Sequence, residues 1–301
     1  MKHVLIVLFA GLCLSSHPGL AAAPPDLPPD VKTLRVNGYD MAYTEQGSGP
    51  PLVLVHGSLS DYRTWAPVLA DLATENRVIA VSLRHYYPER WDGKGSDLSL
   101  SQHAKDLSSF IEALGAGPVH LLGHSRGAGA ALLAASMHPE RIRSLILADL
   151  YPFKSLLPNT AAVKAEMEKR KAFSRAVLAH YERNDPEAGL IAYVNHIVGP
   201  NGWDRTGEAP RERLRSNMWT VLSLLADPET PLKCAALSRI TAPVLMVTGD
   251  RSPPMFAYSN DAAKACLPNV DEVKIPDAGH MMFQANPAAF AVEVQFFAAD
   301  H

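Results

Sequence analysis

A basic surface is the first thing this chain does without. Its 28 lysines and arginines face 31 aspartates and glutamates, for a formal charge of −3 over 301 residues. With no excess of cations and no run of like charge, nothing can neutralise a phosphate backbone, which argues against nucleic acid as a partner. A membrane-spanning helix is missing as well. The apolar run at residues 4–14 falls short of the roughly 20 residues a helix needs to cross a bilayer, so no stable membrane anchor is expected. Phosphate loops, dinucleotide-binding glycine patterns and metal-ligand clusters do not occur, so no cofactor and no metal are expected. Cysteine is scarce, with Cys13, Cys234 and Cys266 the three in the chain.

What is present is ordinary globular composition, 47% hydrophobic and 20% charged, enough for one large domain or two small ones. The first residues read MKHVLIVLFAGLCLSSHPGLAAAPP, a lysine and a short apolar run followed by small residues around 21–23 where a peptidase cuts. That order is a signal peptide over residues 1–23 and predicts a periplasmic or secreted protein. Leu12 is too bulky to precede a lipidated cysteine, so Cys13 leaves with the leader. The remaining pair, Cys234 and Cys266, then sits in an oxidising compartment where a disulfide is allowed. Two small buried thiols fit the sequence equally well. Both cysteines precede predicted strands, which places them near one edge of the sheet and slightly favours the bridge.

PPDLPPD at 24–30 is too proline-rich for helix or inner strand and reads, through residue 32, as a linker. TLRVN and DMAYTEQG, separated by Gly38 and Tyr39, suggest a hairpin. Short apolar runs follow at 52–56, 77–82, 119–123, 144–149, 244–249 and 272–275, with helical spacing at 62–73, 100–114, 126–137, 256–267 and 287–298. The alternation predicts an α/β fold: an eight-stranded, mostly parallel sheet with helices on both faces, the hairpin forming the antiparallel part. Residues 151–236 break the rhythm with helical stretches such as AAVKAEMEKRKAFSRAVLAHYE and RERLRSNMWTVLSLL. A connection of that length is no ordinary loop. It predicts a helical cap inserted after the sixth strand, on a core of residues 33–150 and 237–301.

Within LLGHSRGAG at 121–129, Gly123 and Gly127 flank HSR where a predicted strand passes into a predicted helix. That is the setting of the G-x-S-x-G turn, whose strained backbone leaves no room for side chains beside the serine. Ser125 then stands at the carboxyl end of a strand, where α/β sheets gather reactive groups, beside the N–H groups and positive dipole end of the next helix. Its hydroxyl needs a base. Of the 12 histidines, His3 and His17 belong to the leader, His120 lies in a strand, His138 ends a helix, and His85 and His103 read as structural. His280, in IPDAGHMMFQANP, occupies a glycine-flanked loop between the last strand and the last helix, from which an imidazole reaches over the upper edge of the sheet.

Three motifs, LVLVHGS at 52–58, GHSRG at 123–127 and GHMMFQANP at 279–287, resemble in order and placement the α/β-hydrolase fold superfamily, from about residue 33 to the C-terminus. The resemblance implies a nucleophile, Ser125, then an acid, then His280, with a small-molecule substrate and no cofactor. The acid departs from the commoner pattern. Three residues past Gly249 stands Ser252 rather than a carboxylate, and Asp250 follows that glycine directly. The other location in relatives, the end of the sixth strand, holds Asp149 in LILADLYP. Asp149 is the expected acid and Asp250 the reserve; their plainer roles are a loop carboxylate and a turn residue. The backbone N–H groups of Arg126 and Ser58, or of Leu59 in place of Ser58, are expected to hold the oxyanion, while the Arg126 side chain pairs on the surface.

SLRHYYPERW at 82–91 replaces the relatives' glycine-rich turn with bulk. Tyr86, Tyr87 and Trp91 either wall the pocket or pack beneath the cap, and Trp203, Met218, Trp219 and Leu222 form either a pocket-facing stripe or helix core. The resemblance implies an exported serine hydrolase, carboxylesterase-like, that cleaves carboxylic esters of small, partly apolar substrates through an acyl-enzyme on Ser125. Diketone carbon–carbon cleavage, lactone opening and perhydrolysis stay open with the same triad, as does a capped receptor that binds ligand without turnover. Halide removal and epoxide opening are disfavoured, because relatives performing them carry aspartate where Ser125 stands. Oligomeric state is not legible.

Overall fold

Alternate residues of the inner strands divide between two apolar clusters. In β3 (Pro51–Val55), Val53 and Val55 join one cluster and Leu52 and Leu54 the other; β4 (Arg77–Val81) splits likewise, Ile79 and Val81 against Val78 and Ala80. Strands covered on both faces demand this pattern. The computed structural model describes residues 27–222 and 230–301, so the leader expected at 1–23 lies outside the described residues. The remaining strands are β1 (Lys32–Val36), β2 (Tyr39–Gln46), β5 (Val119–His124), β6 (Ile142–Ala148), β7 (Val244–Gly249) and β8 (Val270–Ile275). They form one eight-stranded sheet in the order β1-β2-β4-β3-β5-β6-β7-β8. Pairs β1–β2 and β2–β4 are antiparallel and the rest parallel. The predicted architecture is the one observed.

Helix α1 (Ala66–Leu72) and the last helix, Pro287–Ala299, cover one face with Val68, Leu72, Phe290, Val294 and Phe297. Helices α2 (Leu100–Leu114) and α3 (Arg126–Met137) cover the other with Leu107, Phe110 and Leu132. Local chemistry sets their ends. The Ser99 hydroxyl accepts the Gln102 N–H at the start of α2, and Gly115, at φ 63°, ends it in the left-handed conformation a side chain disfavours. The helix expected at 256–267 runs instead over Pro254–Lys264, since proline is tolerated in a first turn.

Between β6 and β7 lie α4 (Ala161–Glu182), α5 (Pro186–Val198), α6 (Gly202–Arg205) and α7 (Glu208–Ser216). Their own cluster of Val177, Tyr181, Leu190, Val194, Trp203 and Val221 closes on Leu59 from the loop after β3. Met218, Trp219 and Leu222 pack against it, so these residues form helix core rather than a pocket stripe. The helix expected through 211–225 breaks at Asn217. That buried amide accepts the Tyr87 N–H (2.8 Å) and donates to the Asp61 carboxylate (2.7 Å) and the Arg213 carbonyl (2.9 Å). Tyr86, Tyr87 and Trp91 pack as well: Tyr86 is fully buried against His56, Tyr87 stacks on Tyr62, and Trp91 on His85. No described helix is long and apolar enough to cross a membrane.

Cys234 and Cys266 are joined in a disulfide, which decides between the two readings of that pair. The bond ties the segment before β7 to the segment before β8, 32 residues apart, and closing a loop of that size removes about 3–4 kcal/mol of unfolded-state entropy. Denaturant unfolding of Cys234→Ala/Cys266→Ala is therefore expected to give a stability lower by about that amount; an unchanged midpoint would show that the bridge contributes nothing.

Candidate active site

Ser125 links the end of β5 directly to α3 with φ 55° and ψ −119°, and its N–H donates to the Ala148 carbonyl of β6 (2.8 Å). The glycines around it answer to contact. A Cβ on Gly123 would stand 2.6 Å from the Ala128 Cα, and one on Gly127 would run into the Val55 and His56 carbonyls of β3 and its following turn. Leu59 (φ 55°) and Asp149 (φ 46°) are also held left-handed without being glycine. Such backbone carries about 1–3 kcal/mol of strain per residue and persists where surrounding contacts over-determine it.

Asp149 follows the last residue of β6, and its N–H donates to the Val247 carbonyl of β7 (2.9 Å). His280 comes from the loop after β8, which is clamped onto β7 from below. Gly249 lies against the Ala278 and Gly279 carbonyls where a Cβ could not fit, and the Asp250 carboxylate accepts the Asp277 and Ala278 N–H groups, both at 3.0 Å. From the β5 side, His124 Nε2–H donates to the His280 carbonyl (2.8 Å), and Phe256 stacks on the imidazole at 4.3 Å. Thus held, His280 Nδ1–H donates to Asp149 Oδ2 at 2.8 Å. The Ser252 hydroxyl donates to the same oxygen at 2.7 Å.

The structure thus brings His280 to Asp149 and not to Asp250, whose half-exposed carboxylate holds the loop. Ser125 and His280 line one chamber together, with Ser58 and Leu59 beside them. The Arg126 side chain, expected on the surface, is 1% exposed, and its charge acts on buried His103 of α2. His85 is held between the Glu89 and Asp97 carboxylates (2.8 Å each), and buried His103 contacts the Arg84 carbonyl, so both are structural. Among the described residues no group of three or more His, Cys, Asp or Glu side chains could hold a metal ion.

Burial opposes charge on both members of the His280–Asp149 pair. It pushes the imidazole below its usual range, with the Arg170 guanidinium adding to the effect. It pushes the Asp149 carboxyl up, against the Ser252 hydroxyl, which favours the ionised form. His124 is lowered to about 3 by its own burial and by His280, so it remains a neutral donor to the loop.

Several residues at the site carry no mark in the sequence. Tyr193 of α5 hydrogen-bonds through its hydroxyl to Ser58, and Arg213 of α7 lines the same chamber. A second, smaller chamber beside Ser125 is lined by Arg170, Tyr151 and Phe256. Ser252 stands in the sequence only as a missing carboxylate.

The alpha/beta hydrolase family model matches residues 52–294. Among curated proteins the chain is similar to a 2-(acetamidomethylene)succinate hydrolase of Mesorhizobium japonicum, 26% identical over 249 residues that make up 81% of this chain and 86% of that protein. Among solved structures, a bacterial membrane phospholipase A matches with a TM-score of 0.71 at 23% identity, over 90% of this chain and 86% of the other. An esterase of a Rhodococcus species matches with a TM-score of 0.69 at 21% identity, over 90% and 98%. Both structural likenesses concern the fold.

Removing the Ser252 hydroxyl takes away a donor that favours the Asp149 carboxylate. The carboxyl then moves further up and the pair takes on a proton at higher pH. In Ser252→Ala the acid limb of a kcat/KM profile for any hydrolysed substrate is expected to shift to higher pH, with the smallest loss on the alkaline side; a shift to lower pH would contradict the arrangement.

Proposed function

Because the chain belongs to the alpha/beta hydrolase family and is a hydrolase, we propose that it is an exported serine hydrolase cleaving carboxylic esters of small, partly apolar substrates. The observation that carries this reading is the buried hydrogen bond from His280 Nδ1–H to Asp149, in a chamber that the Ser125 turn also lines. The bond leaves Nε2 as the proton-accepting nitrogen, which is what a base for Ser125 requires. The names of an esterase and a succinate-derivative hydrolase among its likenesses fit the same class.

In this mechanism Ser125 Oγ attacks the ester carbonyl while His280 Nε2 takes its proton, and Asp149 stabilises the imidazolium. The oxyanion is held by the Arg126 N–H at the start of α3 and the Ser58 N–H, with Leu59 the near alternative. Such donors contribute roughly 2.7–4 kcal/mol each in other hydrolases. His280 returns the proton to the departing alkoxide, then takes one from water as it attacks the acyl carbonyl. Collapse releases the acid and returns the proton to Ser125. Left-handed backbone at Ser125 and Asp149 presents both side chains before substrate arrives, which is the preorganisation such electrostatics need. The helical insertion acts as a cap, with Val194, Ile197 and Leu214 supplying apolar wall. Export rests on the leader at 1–23.

A fluorophosphonate probe is expected to label the wild type and not Ser125→Ala, and p-nitrophenyl butyrate turnover is expected to vanish in that variant. Asp149→Asn is expected to lower kcat by about 10⁴-fold, and Asp250→Asn by far less. The reverse order would make Asp250 the acid. Serine-dependent cleavage of diketones or lactones alone would move the substrate class, and binding without turnover would make the protein a receptor. N-terminal sequencing of exported protein is expected to begin just after residue 23.

A further inference from the structure

Ser58, Ser125 and Tyr193 line both chambers, so Ser125 sits where the two meet. The smaller has a volume of about 40 Å³. A site needs about 10–15 Å³ of such space to hold one water, so this chamber admits about three water-sized groups, the size of a carboxylate. Its lining includes polar residues of the insertion, Arg170 and Ser174, one turn apart on α4, together with Tyr151 and Tyr193. No aspartate or glutamate lines either chamber among the described residues.

Arg170 makes no ion pair among the described residues. Its helix neighbours are matched elsewhere, Lys169 with Glu166 and Lys171 with Glu168, both at 2.6 Å. The carboxylate nearest the chemistry, Asp149, is occupied by His280 and Ser252. The guanidinium lies over the Tyr151 ring at 5.5 Å. Tyr151 is itself seated on α3, where a Cβ at Gly129 would come within 2.9 Å of the Tyr151 Cβ and 3.3 Å of its ring. Arg170 and Ser125 line the same chamber, and the cation's charge reaches the imidazole of His280. Arg213 in the larger chamber differs, because the Asp61 carboxylate acts on it. A partly buried guanidinium with no carboxylate beside it among the described residues is a good anion receptor.

We propose that the substrate carries a carboxylate a few bonds from its scissile carbonyl, and that this carboxylate docks on Arg170 in the smaller chamber. The class is then half-esters of small dicarboxylic acids or similar acidic acyl compounds, with the Ser174 and Tyr193 hydroxyls completing the anion's hydrogen bonds. The inference rests on the serine-hydrolase reading of the same site.

The test compares monoethyl esters of succinic, glutaric and adipic acids with their neutral amide isosteres. Wild type is expected to prefer at least one acid member over its isostere by about tenfold or more in kcat/KM, the value of one charge-assisted hydrogen bond. Added salt should lower that ratio. In Arg170→Gln the ratio is expected to fall towards one, and Arg170→Lys, which keeps the charge, should restore part of it. Equal Ser125-dependent turnover of acid and isostere, or a preference that survives in Arg170→Gln, would overturn the anion site while leaving the hydrolase reading intact. If neither ester is hydrolysed, Ser125-dependent turnover of p-nitrophenyl butyrate decides the serine-esterase reading. Calorimetric titration with glutarate then decides the site: saturable binding lost in Arg170→Gln supports it, and binding that is absent or indifferent to Arg170 overturns it.

Discussion

The hydrogen bond between His280 and Asp149 joins residues 131 positions apart, and the upper edge of the sheet is arranged around it. A buried carboxylate is unfavourable unless its oxygens are met by donors. Here one oxygen receives both an imidazole N–H and a serine hydroxyl. The imidazole is immobilised in turn by what surrounds its loop: Gly249 leaves space under it, Asp250 accepts two of its backbone N–H groups, His124 holds its carbonyl, and Phe256 covers the ring. Each contact alone is modest. Together they remove the rotational freedom that would otherwise have to be lost in every reaction cycle.

The same economy of space governs Ser125. Gly123 and Gly127 are small because β3, its turn and the first turn of α3 pass within contact distance of their Cα atoms. His56 secures that turn from the other side, its Nδ1–H donating to the Gly57 carbonyl while Nε2 accepts the Leu83 N–H. Strain at Ser125, Leu59 and Asp149 is concentrated at the carboxyl ends of β3, β5 and β6. The close-packed strands below supply the rigidity that holds it.

The insertion plays a different part. Its helices are held by their own apolar cluster, which meets the α/β core at Leu59. Because that cluster is self-sufficient, the faces of α4, α5 and α7 turned to Ser125 are free to carry polar groups such as Arg170, Tyr193 and Arg213. Under the proposed function, core residues below perform the chemistry and insertion residues above select what reaches it, a division common where ligand pockets form between packed units.

Local features were legible along the chain because they arise from short-range physics. Short apolar runs gave the strands, GHSRG the strand-to-helix turn at Ser125, and helical periodicity the 22-residue helix α4. Ser252 could not be read as a partner of Asp149, nor Asp250 as a clamp, since two carboxylates near the end of adjacent strands look alike until the His280 loop is placed. The aromatic residues after β4 and in the insertion allowed either pocket wall or packing and proved to pack, because apolar composition says that a face is buried but not against what. The sequence by itself determined the α/β architecture and the candidates for attack and proton transfer. Only the tertiary structure decided which carboxylate meets the imidazole, that Cys234 and Cys266 join, and that Arg170 lines a chamber with Ser125, since each depends on distances between segments that no local propensity encodes.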